Sequence, residues 1–156
     1  MTRLCKFIGE RRALQWTADE SLCAKLVTNT VQFFKPSAFE SGPAHHLHLE
    51  HISEFAISPG RTPHVAAFVP EKKGAPASIR LYTIPNFARA TAQKTFYKAD
   101  KIALHWHPMG TNLLCVASTD VDKTNQSYYG ESNLYFLSAT GGGDAKVQLG
   151  TFVLTC

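Results

Sequence analysis

Four histidines lie close together between residues 45 and 51, and imidazole is a common zinc ligand. His46 and His48 are two residues apart, so on a strand they would share one face. Structural zinc sites normally show paired Cys or His spacing, and no spacing here fixes a third ligand. We therefore interpret His45, His46, His48 and His51 as surface or loop histidines, and we expect no metal site and no cofactor.

A second set of possible ligands lies in a polar loop that follows the apolar run 113–117. Asp120 and Asp122 are spaced as in a calcium loop, and Glu131 stands at the twelfth position of that pattern. Asn125 replaces the glycine of the sixth position, so we interpret the aspartates as turn residues that bond their own backbone. The loop is also a candidate contact surface, with the residues Asp120, Asp122, Lys123, Tyr128 and Tyr129.

No motif typical of an enzyme is present. The sequence contains no Gly-x-Ser-x-Gly elbow. The run 141–144, Gly-Gly-Gly-Asp, lacks the lysine and hydroxyl residue of a phosphate-binding loop and predicts a hairpin turn. Since no nucleophile–base arrangement is visible either, we expect a protein without catalysis.

The middle third of the chain is basic. Between residues 61 and 101, eight Lys or Arg residues are opposed only by Glu71 and Asp100. Cations interleaved with aromatic residues are typical of RNA-binding surfaces, although a solubilising surface over an aromatic core is the alternative. Side chains alternate along a strand, so only one of Phe96 and Tyr97 can belong to the core. The predicted RNA- or ribosome-binding residues are Lys72, Lys73, Arg80, Arg89, Lys94, Lys98 and Lys101.

Length and composition are those of one globular domain: 156 residues, 44% hydrophobic and 18% charged, with a net charge of +4. The four cysteines (Cys5, Cys23, Cys115 and Cys156) have no CxxC spacing, which favours a reducing compartment. No apolar run is long enough to span a bilayer, and the first twelve residues are too polar for a secretory signal. We expect a cytoplasmic protein that does not bind membranes.

Short apolar runs bounded by Pro, Gly or Asn predict strands throughout. Trp16, Ile57 and Trp106 each precede a polar turn, at spacings of 41 and 49 residues, and we expect each to be buried. A four-stranded unit with this period indicates a β-propeller. The sequence predicts an all-β fold of three antiparallel, four-stranded, WD40-like blades, at about 3–49, 50–100 and 101–149. The last strand of the second blade is predicted at 95–98.

Three blades cannot close a ring, because propellers typically use four to eight. Two blade faces would then stay open, and exposed apolar faces favour association. We therefore expect this chain to be an incomplete part of a larger propeller.

Several segments resemble the eukaryotic translation initiation factor 2A family. They are ADESLCA (18–24), KGAP (73–76), RLY-x-x-PNF (80–87), FYKADK (96–101) and STDVDKT-x-x-SYYGE (118–131). The resemblance extends from about Leu14 to Leu149, whereas the start of the chain and residues 150–156 do not match.

The resemblance implies part of a nine-bladed propeller in a factor that helps to deliver initiator methionyl-tRNA without GTP. The implied partners are the small ribosomal subunit, initiator methionyl-tRNA and mRNA, together with other initiation factors. The alternative is a scaffold for protein–protein interaction that makes no direct RNA contact.

Overall fold

The computed structural model describes residues 14–119 and 132–147, and these form three four-stranded sheets. Blade 1 contains β1 (Gln15–Trp16), β2 (Cys23–Val27), β3 (Thr30–Phe34) and β4 (His45–His48). Blade 2 contains β5 (Glu54–Ile57), β6 (His64–Val69), β7 (Ala77–Thr83) and β8 (Ala92–Phe96). Blade 3 contains β9 (Lys101–Trp106), β10 (Asn112–Ser118), β11 (Ser132–Ser138) and β12 (Asp144–Val147). A short 3₁₀ segment, Pro36–Ser41, connects β3 to β4.

Each sheet is an antiparallel meander whose strands follow one another in chain order. This arrangement confirms the predicted all-β fold of three four-stranded blades. It follows from the sequence because β-branched and aromatic residues alternate with polar ones in short runs between turn residues.

Two hydrophobic clusters hold the blades together. The first lies between blades 1 and 2, where Val31 and Phe33 pack with Val65 and Tyr82. The second lies between blades 2 and 3 and contains residues from both, including Phe68, Ile79, Leu113, Tyr135 and Leu137. Both faces of blade 2 are therefore buried, because its strands carry apolar residues at even and odd positions alike.

The three blades repeat the same turn after their first strand, as the alignment of Trp16, Ile57 and Trp106 predicts. In each blade the next residue donates its backbone N–H across the turn to the start of the second strand. The donor and acceptor pairs are Thr17 to Leu22 (2.9 Å), Ser58 to His64 (2.8 Å) and His107 to Asn112 (2.8 Å).

The expected burial of Trp16 is wrong: its side chain is 51% exposed. The corresponding residue of blade 3, Trp106, explains why Trp16 is exposed. In blade 3 the indole Nε1 donates to the carbonyl oxygen of Ala56 in blade 2, 3.2 Å away. Trp16 holds the corresponding position in blade 1, and no sheet of the described residues lies beside that face.

The prediction of a strand at 95–98 is also wrong, since β8 spans Ala92–Phe96. Its first residues pair with β7 although they include no β-branched or aromatic side chain, so the partner strand outweighs local propensity. The strand ends before Lys98 because that residue takes a left-handed φ of 56° and its backbone N–H donates to the carboxylate of Glu71.

Cys23 and Cys115 are buried free thiols, as expected for cysteines in apolar strands. Burial raises the pKa of Cys115 to about 12 and also raises the pKa of Cys23. Both therefore stay protonated near neutral pH and behave as small apolar side chains. In the described part of the chain, no helix is long and apolar enough to cross a membrane.

Candidate nucleic-acid interface

The connections between strands lie at two opposite ends of the three blades. Because neighbouring strands are antiparallel, successive connections alternate between these ends. We call the upper end the one that carries the connections β2–β3, β4–β5, β6–β7, β8–β9 and β10–β11. The lower end carries the connections β1–β2, β3–β4, β5–β6, β7–β8, β9–β10 and β11–β12.

Lys72 and Lys73 form the tip of the β6–β7 connection at the upper end. Lys72 and Ala75 exchange backbone hydrogen bonds of 3.2 and 2.9 Å, which close a tight turn. Lys73 and Gly74 occupy its corner with φ values of 47° and 82°. Both lysines are exposed, so the turn presents two cations to solvent on a short, closed hairpin.

The β8–β9 connection is held against this tip. The backbone N–H of Lys98 donates to Oε2 of Glu71 at 2.6 Å, and the backbone N–H of Glu71 donates to the carbonyl oxygen of Ala99 at 3.4 Å. Lys101 begins β9 and pairs with Ser118. The structure thus brings Lys72, Lys73, Lys98 and Lys101 to the same end of neighbouring blades. Their order in the sequence alone does not require this.

A histidine from the β4–β5 connection extends this group. Nδ1 of His51 lies 3.3 Å from Nζ of Lys72, and the backbone N–H of His51 donates to Oδ1 of Asn29 at 3.0 Å. His51 takes a φ of 63°. Sequence reasoning did not place it beside the lysines, because the two residues are 21 positions apart and no local pattern links them.

Four of the five non-glycine residues with positive φ in the described part of the chain lie in upper-end connections. They are Thr28, His51, Lys73 and Lys98, whereas Glu20 lies at the lower end. A non-glycine residue in this region costs about 1–3 kcal/mol, and such residues concentrate at functional sites. The upper end therefore combines cations with constrained backbone.

The other three predicted residues lie elsewhere. Nζ of Lys94 forms an ion pair with Asp144 of β12, which neutralises it between blades 2 and 3. Arg89 lies in the β7–β8 connection at the lower end, and Arg80 lies within β7 on the face toward blade 1. The seven predicted cations are therefore divided among at least three places and do not form one surface.

The aromatic residues that lie between these cations in the sequence also lie in different environments, some buried and one exposed. Phe96 is buried and stacks on Tyr135 with 4.9 Å between ring centroids, whereas Tyr97 is 70% exposed. The expectation that only one of these neighbours is core is confirmed. Tyr82 is buried, and Phe87 stacks on Phe33. Tyr97, next to Lys98, is thus an exposed ring at the upper end.

The histidine run lies along blade 1. His46 and His48 share the exposed face of β4, opposite Gln32 and Thr30, and Nδ1 of His48 lies 3.1 Å from the hydroxyl of Thr30. Among residues 14–119 and 132–147, no group of three or more His, Cys, Asp or Glu side chains is placed to hold a metal ion.

The predicted contact loop lies outside the described residues. This applies to Asp120, Asp122, Lys123, Tyr128 and Tyr129, and to the calcium pattern that ends at Glu131. The strands on either side are described: β10 ends at Ser118 and β11 begins at Ser132, and these two residues pair at the upper end.

Comparison with known proteins identifies relatives along most of the chain. The family model for eukaryotic translation initiation factor eIF2A matches residues 94–153. Eukaryotic translation initiation factor 2A of Schizosaccharomyces pombe is 54% identical over 136 residues, which are 87% of this chain and 24% of that protein. The protein of the same name in Caenorhabditis elegans is 39% identical over 136 residues, which are 86% of this chain and 24% of that protein.

A solved structure shows the same similarity in three dimensions. The structure described as "Crystal structure of the eukaryotic initiation factor" superposes with a TM-score of 0.71 at 46% sequence identity. The match covers 83% of this chain and 30% of that chain. The present chain thus spans about a quarter of the length of these curated relatives.

Proposed function

Because the chain belongs to the eukaryotic translation initiation factor 2A family, we propose that it is a propeller segment that binds RNA of the initiation machinery without catalysis. The proposed ligands are the small ribosomal subunit, initiator methionyl-tRNA and mRNA, with other initiation factors as further partners and the cytoplasm as the location. In this proposal residues 3–149 supply three consecutive blades of a larger ring, which the family resemblance puts at nine blades.

The observation that carries the proposal is the group of lysines at the upper end. Lys72, Lys73 and Lys98 come from neighbouring connections, Lys101 begins β9 at the same end, and Tyr97 adds an exposed ring next to Lys98. Ammonium groups on a convex tip can reach phosphates, and an exposed ring can stack on an unpaired base. Glu71 and Asp100 reduce the net charge there, so the contact is of moderate strength and depends on all four lysines together.

The loop between β10 and β11 joins the same proposed surface. Ser118 and Ser132, which flank this loop, pair at the upper end, and Ser118 also pairs with Lys101. We include Asp120, Asp122, Lys123, Tyr128 and Tyr129 as candidate contact residues. Arg80, Arg89 and Lys94, which the sequence also predicts as contacts, lie away from the upper end and are not part of this proposed surface.

Charge reversal tests the proposal. In the chain with Lys72→Glu, Lys73→Glu, Lys98→Glu and Lys101→Glu, we expect co-sedimentation with small ribosomal subunits to fall at least about tenfold, since four phosphate contacts are replaced by repulsion. The matched control reverses two exposed lysines of blade 1, Lys25→Glu and Lys35→Glu, and should bind as the unchanged chain does. Equal binding by both variants would assign the interaction to a protein contact.

A further inference from the structure

A cleft of about 460 Å³ opens at the side of blade 2, where β7, β8 and the connection between them meet. It is lined by residues 87–93 together with Arg80 and Tyr82. Among the residues that the structure describes, no acidic side chain lines it. Two arginines thus line a cleft that lies away from the lysines of the upper end.

Arg80 is placed in the cleft by the alternation of β7. Ile79 and Leu81 face blade 3, and Tyr82 belongs to the cluster between blades 1 and 2, so Arg80 also points toward blade 1. Its Nε atom is buried, and none of the described residues offers that atom a hydrogen-bond acceptor. A buried donor without a partner is costly, and a movement of the Arg80 side chain that turns Nε toward a ligand oxygen in the cleft would remove that cost.

Comparison with blade 3 indicates why the space exists. Strand pairing gives Arg80 and Tyr135 the same position in their blades. Tyr135 stacks on Phe96 at 4.9 Å and fills the interface between blades 2 and 3. In blade 2 this position carries a cation in place of a packed ring, and the cleft lies beside it. The arginine is therefore not needed to fill the core.

The lining favours a peptide over RNA. Tyr82 is buried, and Phe87 is stacked on Phe33 at 5.1 Å and meets Tyr82 edge-on, so no ring in the cleft presents an open face to a base. RNA recognition relies on such exposed rings. Arginine, by contrast, pairs with a carboxylate through two parallel hydrogen bonds.

The neighbouring strand supplies a second element of a peptide site. β8 is the outermost strand of blade 2 and pairs, among the described strands, with β7 alone. An extended peptide can add to such an edge through backbone hydrogen bonds while its alternate side chains enter adjacent pockets.

We propose that this cleft binds an acidic peptide segment of a protein partner, with a carboxylate held by Arg80 and Arg89. The site is independent of the RNA contact proposed for the upper end. Together they would let one segment hold RNA at one end and an acidic protein tail at its side.

The test is an NMR titration of the ¹⁵N-labelled chain with a short, capped peptide of alternating glutamate and alanine. We expect shifts at the backbone amides of residues 88–93, and none with the same peptide carrying glutamine for glutamate. Arg89→Gln and Arg80→Met should each raise the dissociation constant by about tenfold, as loss of a charged hydrogen-bond partner does. Arg61→Gln removes an exposed cation at the lower end and should change nothing.

Results of two kinds would overturn the proposal. One is an equal response to the glutamate and glutamine peptides, or an unchanged dissociation constant in Arg89→Gln. The other is a response of residues 88–93 to a single-stranded RNA oligonucleotide but not to the peptide, which would make the cleft a nucleic-acid site. Arg89 is exposed in a connection, so Arg89→Gln alone decides the outcome if Arg80→Met does not fold.

Discussion

The carboxylate of Asp19 organises the turn between β1 and β2. It accepts hydrogen bonds from the hydroxyl of Thr17 (2.7 Å), the backbone N–H of Ser21 (3.0 Å) and the hydroxyl of Ser21 (2.7 Å). These donors lower its pKa from an ordinary value of 3.8 to about 2, led by the hydroxyl of Thr17. The ionised form is therefore the one that the fold stabilises.

This bonding gives a pH-dependent prediction at the residue scale. The folded pKa lies below the unfolded one, so the contribution of Asp19 to the free energy of unfolding is present above about pH 4 and is lost as the pH falls through about 2. Asp19→Asn should lose that part of the acid dependence, measured by urea denaturation between pH 5 and pH 2. Glu50→Gln, which removes another exposed carboxylate, serves as the control. An Asp19→Asn profile that matches the unchanged chain would contradict the role given to this carboxylate.

At the scale of elements, the first turns of blades 2 and 3 interlock through glycine. Gly110 takes a φ of 71°, and a Cβ at that position would collide with the carbonyl oxygen of Pro59. Gly60 takes a φ of 101°, and its Cβ would lie 2.7 Å from the carbonyl oxygen of Met109. The β5–β6 and β9–β10 turns can therefore touch only because both lack a side chain at these points.

Gly110→Ala should for this reason destabilise the chain more than a positive φ alone explains. Gly74→Ala is the matched comparison, because Gly74 has a φ of 82° but nothing within 4 Å of its Cβ position. We expect Gly74→Ala to cost about 1–2 kcal/mol from backbone strain. Gly110→Ala should cost about 1–3 kcal/mol more from overpacking, measured as the difference in free energy of unfolding. Equal losses would show that the turns do not constrain each other.

The elements also show how far the sequence predicts this fold and site. The turn residues Thr17, Ser58 and His107 could be aligned from the sequence because each follows an apolar residue at a similar spacing, and the structure gives all three the same hydrogen bond. The start of β8 could not be predicted, since its residues pair with β7 against their own propensity. The division of the cations also required the structure. Alternation within strands and between connections sends residues such as Lys94 and Lys98 to different places.

At the scale of the whole molecule, the two outer blade faces carry apolar side chains. Trp16 is 51% exposed on blade 1, and Leu114 is 39% exposed on blade 3. Leu114 pairs with Phe136, and Val116 with Leu134, so these four side chains share the face of blade 3 that points away from blade 2. Exposed patches of this kind favour association.

We expect the isolated chain to self-associate through these faces. Leu114→Lys with Val116→Lys should lower the weight-average mass seen by analytical ultracentrifugation, since two cations on the face oppose its burial against a partner. Met109→Lys, an exposed apolar residue in a lower-end turn, should leave the mass unchanged. A sharp thermal transition of a monomer in the unchanged chain would contradict this prediction.

The proposed contact between the four upper-end lysines and phosphates is tested most directly by salt titration. The measurement is the affinity of the chain for single-stranded RNA at increasing salt, compared with the Lys72, Lys73, Lys98 and Lys101 reversal variant. Four phosphate contacts predict a slope of about −3 in log affinity against log salt for the unchanged chain, and a slope near zero for the variant. Equal slopes for the two chains would contradict the claim.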